Sequence, residues 1–150
     1  MRISEAPILI IGIGNPLRGD DGAGHFIADK LAKQNLPFVA VEWVHQPDST
    51  LVEQFPGRKA VLFVDADLNA TQVQIQPITE AETGVSLHAH QISCSTLALL
   101  SQQLGNETTL FYKVGIPVQS FDPGASLSAS TLECCGIAEA MIVNWVHDQL

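Results

Sequence analysis

Two continuous apolar runs, Pro7–Ile11 and Ala60–Val64, constrain the fold more than any other feature of the sequence. Neither run alternates apolar with polar residues, and such runs are typical of parallel strands that are buried on both faces. Stretches with helical periodicity alternate with the strand-like runs along the chain. This order predicts an α/β fold: a three-layer αβα sandwich in which a twisted, mostly parallel sheet of about five strands has helices on both faces.

The individual elements are predicted from apolar patterns and from helix start and stop signals. The predicted strands are Ile8–Ile13, Phe38–Trp43, Ala60–Asp65, an edge strand over Val73–Ile78, and Leu110–Ile116. The predicted helices are one near Ala23, a short one over Ser49–Phe55, one over Ile92–Leu104, and a long last one. A capping-box pattern, Ser130–Glu133, predicts the start of the last helix. Its predicted inner face contains Ile137, Ala138, Met141, Ile142 and Trp145.

The composition limits the class of protein. A length of 150 residues is that of one ordinary domain, so we expect a single domain over residues 1–150, monomeric when free. No apolar segment approaches the roughly 20 residues that a membrane span needs. The formal net charge of −9 disfavours nucleic acid and anionic membranes as partners. Three cysteines without disulfide or metal spacing, and no pattern of a secretory signal, favour the cytoplasm.

The stretch GIGNPLRGDDGAG, from Gly12 to Gly24, directly follows the first predicted strand. Gly12 and Gly14 between a strand and a helix begin a dinucleotide-binding fingerprint, and Glu42 is a candidate ribose ligand. However, Leu17 occupies the position of the third glycine, and the proline before it removes a backbone N–H where a pyrophosphate needs donors. A Rossmann-like nucleotide-binding module is therefore the weaker alternative.

Several acids and imidazoles are predicted to converge. Helix N-capping, which contributes about 1 kcal/mol, explains one of the neighbours Asp20 and Asp21 but the second only in part. Asp65 ends the third predicted strand, where it is either a turn residue or a functional one. His88 and His90 precede a predicted helix. Because the ends of parallel strands meet at one edge of a sheet, we expect Asp21, Asp65 and His90 to lie together. They would form either a divalent-metal site or a carboxylate pair that shares a proton with a base.

The motif from Gly12 to Gly24 resembles the amino-terminal signature of the hydrogenase maturation proteases. These endopeptidases trim the carboxyl-terminal extension from the large subunit of [NiFe]-hydrogenases. Val64–Ala66 is similar to the second motif of that family, and His90 with the following glutamine is similar to the third. A late stretch, Gly124–Ser128, resembles the sequence before the last helix of the family.

The resemblance implies a peptidase that cuts the large-subunit precursor after nickel insertion and uses the substrate-bound nickel as its recognition element. It implies that Asp21, Asp65 and His90 are both the catalytic and the nickel-contacting residues. The nickel is expected to come from the precursor and not to be bound tightly by the free protease. The expected supporting residues are Gly14, Asn15, Asp20 and His88.

Three points stay open after the resemblance. Many family members have Glu at the position of Asp21, and the stretch His45–Ser49 is similar to members that serve the bidirectional, NAD(P)-linked hydrogenases. His45 itself is a secondary site candidate. Water is activated either by the metal or by a carboxylate acting as general base. A nickel-site chaperone without catalysis is the second alternative function.

Overall fold

The computed structural model describes residues 5–79, 92–124 and 126–150. Two short 3-10 helices, Gly19–Gly22 and Ser49–Gln54, accompany the longer elements. In these parts of the chain, no helix combines the length and the apolar character needed to cross a membrane. The strands are β1 (Ile8–Ile13), β2 (Val39–Val44), β3 (Ala60–Asp67), β4 (Gln74–Pro77) and β5 (Leu110–Pro117). The α-helices are α1 (Ala23–Lys33), α2 (Cys94–Gln103) and α3 (Ala129–Gln149).

The described strands form one sheet in the order β2-β1-β3-β5-β4. The strands β2, β1, β3 and β5 run parallel to one another. β4 is antiparallel to β5 and lies at the edge of the sheet. Pro77 has no N–H, and an edge position tolerates this because one side of the strand needs no hydrogen-bond partner. The predicted mostly parallel α/β sheet, including its edge strand, is therefore confirmed.

Alternate residues of the central strands pack on opposite faces of the sheet. On one face, Leu9 and Phe63 belong to a core with α2 and the Ser49–Gln54 helix. On the other face, Ile10 and Val64 belong to a core with α1 and α3. All four side chains are fully buried. Helices on both faces thus explain why these strands are apolar without alternation.

Gly12 and Gly24 allow α1 to lie directly against the sheet. A Cβ atom at Gly24 would lie 2.3 Å from the carbonyl oxygen of Ile13 and 2.6 Å from that of Val64. A Cβ atom at Gly12 would lie 2.3 Å from the carbonyl oxygen of Gly24. Only glycine fits at such separations, so both residues serve helix–sheet packing. This close packing brings the loop before α1 to the ends of β1 and β3.

Some element ends differ from the predictions. Phe38 lies outside β2, with a φ of 67° and a half-exposed side chain. α2 begins at Cys94 because the side chain of Ser93 caps it, accepting the N–H of Thr96 at 3.1 Å. β3 runs two residues beyond its predicted end, to Asp67, because these residues still pair with β5.

The start and the buried face of α3 also differ from the predictions. Its N-cap is Ser128, which accepts the N–H of Thr131 at 3.3 Å, so the capping box at Ser130 was wrong by two residues. Ile137, predicted on the inner face, is 49% exposed. Of the other predicted members, Ala138 and Ile142 are buried, and Met141 and Trp145 are partly buried. The buried residues are Thr131, Cys135, Ala138, Ile142 and Val146, spaced at one helical stripe.

Candidate active site

The strand order places a cavity at the carboxyl ends of β1 and β3. The chain crosses from β1 to β2 on one side and then to β3 on the other side. Such a switch point is where ligands bind in open α/β sheets. Ile13 pairs with Asp65 there, and a cavity of about 840 Å³ opens beside them. Its lining includes Asn15, Arg18, Asp21, His45, Asp65, Lys113 and Phe121.

Asp21 lies in the Gly19–Gly22 helix, and its side chain is held at this cavity by the preceding turn. The backbone N–H of Asn15 donates a hydrogen bond of 2.9 Å to Oδ2 of Asp21. The side-chain oxygen of Asn15 accepts the N–H of Leu17, also at 2.9 Å. Gly14 has a φ of 140°, and a Cβ atom there would lie 1.9 Å from the carbonyl oxygen of Asp21. The glycine turn therefore permits the close approach that orients Asp21.

Asp65 faces the same cavity from β3. Burial, together with the negative charge of Asp21, raises the pKa of Asp65 to about 7. A hydrogen bond from the N–H of Ala66 and the charge of Lys113 act in the opposite direction but do not cancel the increase. The two acids are thus electrostatically coupled, and Asp65 titrates near neutral pH. The structure brings together two of the three residues that the sequence assigns to this site.

Asp20 has a different environment from its neighbour and does not line the cavity. It is buried, with 2% exposure, and its carboxylate accepts hydrogen bonds from the segment between β5 and α3. Burial alone would raise the pKa of Asp20, but hydrogen bonds from Ser128 and Gln119 lower it overall. The N-capping hypothesis is wrong for both acids, because Gly22 is the N-cap of α1 and no side chain caps it.

Of the three histidines predicted as site candidates, the structure describes one, His45. His90 and His88 lie outside the described residues. Within the described ranges, no three His, Cys, Asp or Glu side chains group closely enough to hold a metal ion. His45 lines the cavity, and its ring lies 5.2 Å from the ring of Trp43, which in turn contacts the ring of His25 at 4.1 Å. The described part of the chain thus brings the carboxylates of Asp21 and Asp65 to one cavity, and the place of His90 beside them stays a prediction.

Sequence reasoning missed Asp67 and Lys113, which both line the cavity. Asp67 extends β3 and accepts the N–H of Asn69 at 2.8 Å, so it has the turn-forming role considered for Asp65. Lys113 is a cation within an otherwise uncharged strand, opposite Phe63 in the register of β3 and β5. A charge inside the run Leu110–Ile116 was the available signal for Lys113. For Asp67, the signal was its spacing of two residues from Asp65, which puts both on one face of a strand.

The structure weighs against the nucleotide-binding alternative. Glu42 lies on β2 but does not line the cavity. Its charge acts on Arg58, whose pKa burial lowers and Glu42 raises in part. The space beside Gly12 and Gly14 is filled by the backbone of Gly24 and Asp21. A pyrophosphate would need that space and free N–H donors, so the glycine motif serves packing in this protein.

No family model and no curated protein matches the sequence. Solved structures do match it. The [NiFe] hydrogenase maturation protease HycI from Thermococcus kodakarensis KOD1 has a TM-score of 0.73 and 23% identity, over 93% of this chain and 91% of that chain. The hydrogenase maturating endopeptidase HybD from E. coli has a TM-score of 0.74 and 18% identity, over 94% and 92%. The hydrogenase 2 maturation peptidase from Thaumarchaeota archaeon SCGC_AB-539-E09 has a TM-score of 0.67 and 18% identity, over 93% and 97%. The chain therefore has the fold of these hydrogenase maturation endopeptidases along almost its whole length.

Proposed function

We propose that this chain is an endopeptidase that removes the carboxyl-terminal extension from the large-subunit precursor of a [NiFe]-hydrogenase after nickel insertion. The proposal depends above all on Asp21 and Asp65, which line one cavity at the switch point of a sheet that has the fold of maturation endopeptidases. The motifs at Gly12–Gly24, Val64–Ala66 and His90 support it independently from the sequence.

Nickel enters this proposal as part of the substrate. Carboxylate oxygens of Asp21 and Asp65, an imidazole of His90 and thiolates of the precursor make a ligand set suited to a borderline divalent ion. Two acids at one cavity repel each other, and the raised pKa of Asp65 reflects burial first and this repulsion second. A cation that arrives with the precursor relieves the repulsion and favours both ionised forms. Because neither protein completes this set alone, we expect the free protease to bind nickel weakly.

Binding of the nickel would also position the peptide bond that is cut, because the metal ties the precursor to the edge of the sheet. Two routes to the attacking water fit this arrangement. In one route, the metal polarises the scissile carbonyl or the water. In the other, a carboxylate removes a proton from water and the metal acts only as an anchor. In the second route the base is one of the two carboxylates that line the cavity, that of Asp21 or that of Asp65.

The segment after β2 supports a narrower proposal about the substrate. His45, Gln46 and Pro47 line the cavity, where a bound precursor would contact them. The resemblance of His45–Ser49 to one subtype leads us to propose a precursor of the bidirectional, NAD(P)-linked type. We further propose that the enzyme works in the cytoplasm, is monomeric when free, and has no nucleic-acid or membrane partner. The net charge of −9 supports the last point.

Mass spectrometry of a nickel-loaded precursor after incubation with the protein tests the proposed activity. We expect the wild-type protein to remove the extension. Asp21→Asn, Asp65→Asn and His90→Ala should each abolish removal while leaving the circular dichroism spectrum unchanged. Asp29→Asn is the control, since Asp29 is exposed on α1 and pairs with Lys33 at 2.9 Å. A precursor of unchanged mass that keeps its nickel would contradict the peptidase and favour the chaperone. Saturable NAD binding would favour the nucleotide-binding module.

A further inference from the structure

Asp20 and Asp21 are adjacent in one 3-10 helix, Gly19–Gly22, but they contact different parts of the protein. Asp21 lines the cavity, whereas Asp20 is buried and points to the segment that joins β5 to α3. This helix has only four residues. Contacts that fix the position of Asp20 therefore also restrict the backbone and side-chain orientation of Asp21. The surroundings of Asp20 therefore bear on the geometry of Asp21.

The carboxylate of Asp20 accepts four hydrogen bonds from the segment between β5 and α3. Its Oδ1 accepts the N–H of Ser128 at 2.7 Å. Its Oδ2 accepts the hydroxyl of Ser128 at 3.0 Å and the N–H groups of Gln119 and Ser120 at 3.0 and 3.3 Å. Only an ionised carboxylate offers enough acceptor sites for all four donors without carrying a donor of its own.

Backbone contacts join the same two segments around this carboxylate. The N–H of Asp20 donates to the carbonyl of Ser120 at 3.0 Å, and the N–H of Gly124 donates to the carbonyl of Leu17 at 2.8 Å. A Cβ atom at Gly19 would lie 3.2 Å from the carbonyl oxygens of both Ser120 and Asp122. Residues 120–124 thus pack closely against the turn that carries Asp21, and Phe121 among them reaches the cavity.

We propose that Asp20 is a positioning residue, whose buried carboxylate ties residues 119, 120 and 128 to the Gly19–Gly22 turn and thereby fixes Asp21 at the cavity. This role deepens the proposed peptidase function and rests on it for its catalytic consequence. An active-site group misplaced by about 1 Å can lose roughly 100-fold in rate, so a fixed turn has functional value. The role also accounts for the second acid of the pair, which helix capping does not explain.

Asp20→Asn tests this role with almost no change in side-chain volume. In asparagine, an NH2 group replaces one carboxylate oxygen. This donor group would face either the N–H of Ser128, if it takes the place of Oδ1, or the three donors around Oδ2, so hydrogen bonds to Asp20 would be lost. We expect kcat on nickel-loaded precursor to fall at least 10-fold, with KM within about 3-fold of wild type, measured well below the melting temperature of each variant. Asp122→Asn is the matched control, because it removes an exposed charge from the same segment and should change neither parameter.

Exchange of the Asn15 backbone N–H with solvent, followed by NMR, provides a readout without substrate. In the wild-type protein this group donates to Asp21. Asp20→Asn should accelerate its exchange at least 10-fold, and Asp122→Asn should not. If Asp20→Asn does not fold, Ser128→Ala replaces it. This variant removes one donor to Asp20 together with the side-chain cap of α3. The exchange of the Asn15 N–H, which loss of the cap alone should not change, should accelerate less than in Asp20→Asn.

A folded Asp20→Asn protein with wild-type kcat, or one with lower thermal stability but unchanged Asn15 exchange, would overturn the proposal. If the wild-type protein cleaves no precursor, the proposed function fails, and the exchange of the Asn15 N–H alone decides whether Asp20 positions Asp21.

Discussion

The negative charge of Asp21 acts on Asp65 across the cavity and contributes, after burial, to raising the pKa of Asp65 from 3.8 to about 7. Asp21 comes from the turn before α1, and Asp65 comes from β3. The fold therefore holds two acids at one edge of the sheet in an arrangement that is unfavourable when both are ionised. Because such an arrangement lowers the stability of the folded protein, we expect it at a functional site.

The first prediction concerns stability as a function of pH. Asp65 keeps its proton in the folded protein up to about pH 7, whereas in the unfolded chain it loses the proton near pH 3.8. The unfolded chain thus binds fewer protons between these values, so the free energy of unfolding falls as pH rises through this window. Asp65→Asn removes this effect and should raise the free energy of unfolding at pH 8, relative to wild type, by on the order of 2–4 kcal/mol.

Urea unfolding at pH 4 and pH 8 measures this difference. At pH 4, the gain from Asp65→Asn should largely disappear, because Asp65 is then mostly protonated in the folded state. Asp29→Asn is the control. Lys33 lowers the pKa of the exposed Asp29, so this substitution should bring no gain at either pH. If Asp65→Asn and the wild-type protein have equal free energies of unfolding at pH 8, the folded protein does not raise the pKa of Asp65.

The second prediction concerns the packing of α1 on the sheet. Gly24→Ala would place a Cβ atom 2.3 Å from the carbonyl oxygen of Ile13, and backbone atoms must move to relieve this contact. We expect a loss of about 2–4 kcal/mol in the free energy of unfolding. Gly136→Ala is the matched control in α3, where a Cβ atom meets nothing within 4 Å. There alanine should stabilise the helix by about 0.5–1 kcal/mol. Equal effects of the two substitutions in urea unfolding would argue against close packing at Gly24.

The third prediction concerns the metal carried by the substrate. If nickel completes a shared ligand set with Asp21 and Asp65, a precursor without nickel lacks the anchor that positions its peptide bond. We expect its cleavage to be at least about 100-fold slower than that of the loaded precursor, because positioning is lost. Time courses with both precursors, analysed by mass, measure the ratio. Equal rates would remove nickel recognition from the mechanism while leaving the peptidase activity itself intact.

The sequence predicted the central strands well because their signal is local. β1 is a continuous apolar run that contains Gly12 and is followed by Gly14, and its predicted bounds are those observed. Because parallel strands end at one edge, the approach of Asp21 and Asp65 could also be inferred without coordinates. His90, the third predicted member, lies outside the described residues, so its role stays a prediction.

Other features depend on contacts between distant residues, and local patterns did not reveal them. Ser128 and Ser130 both fit a helix start, and Ser128 is the cap where its N–H and hydroxyl also bind Asp20. The sequence predicted Asp20 as a supporting residue but not its hydrogen-bond donors, since these lie about a hundred positions further along the chain. Lys113 was predicted only as a strand residue. Its position beside the cavity follows from the pairing of β5 with β3, which local patterns do not show.

The last prediction concerns the turn that orients Asp21. Gly14→Ala would place a Cβ atom 1.9 Å from the carbonyl oxygen of Asp21, at a φ of 140° that alanine rarely adopts. Both effects should displace the turn, so we expect loss of the Asn15–Asp21 hydrogen bond and a decrease of roughly 100-fold in kcat. Gly105→Ala separates the two effects, because Gly105 has a φ of 103° but open space around its Cβ position. It should lose about 1–2 kcal/mol of stability from backbone strain and keep wild-type kcat. If Gly14→Ala is folded and retains full activity, the approach of the Gly14 turn to Asp21 is not needed for cleavage.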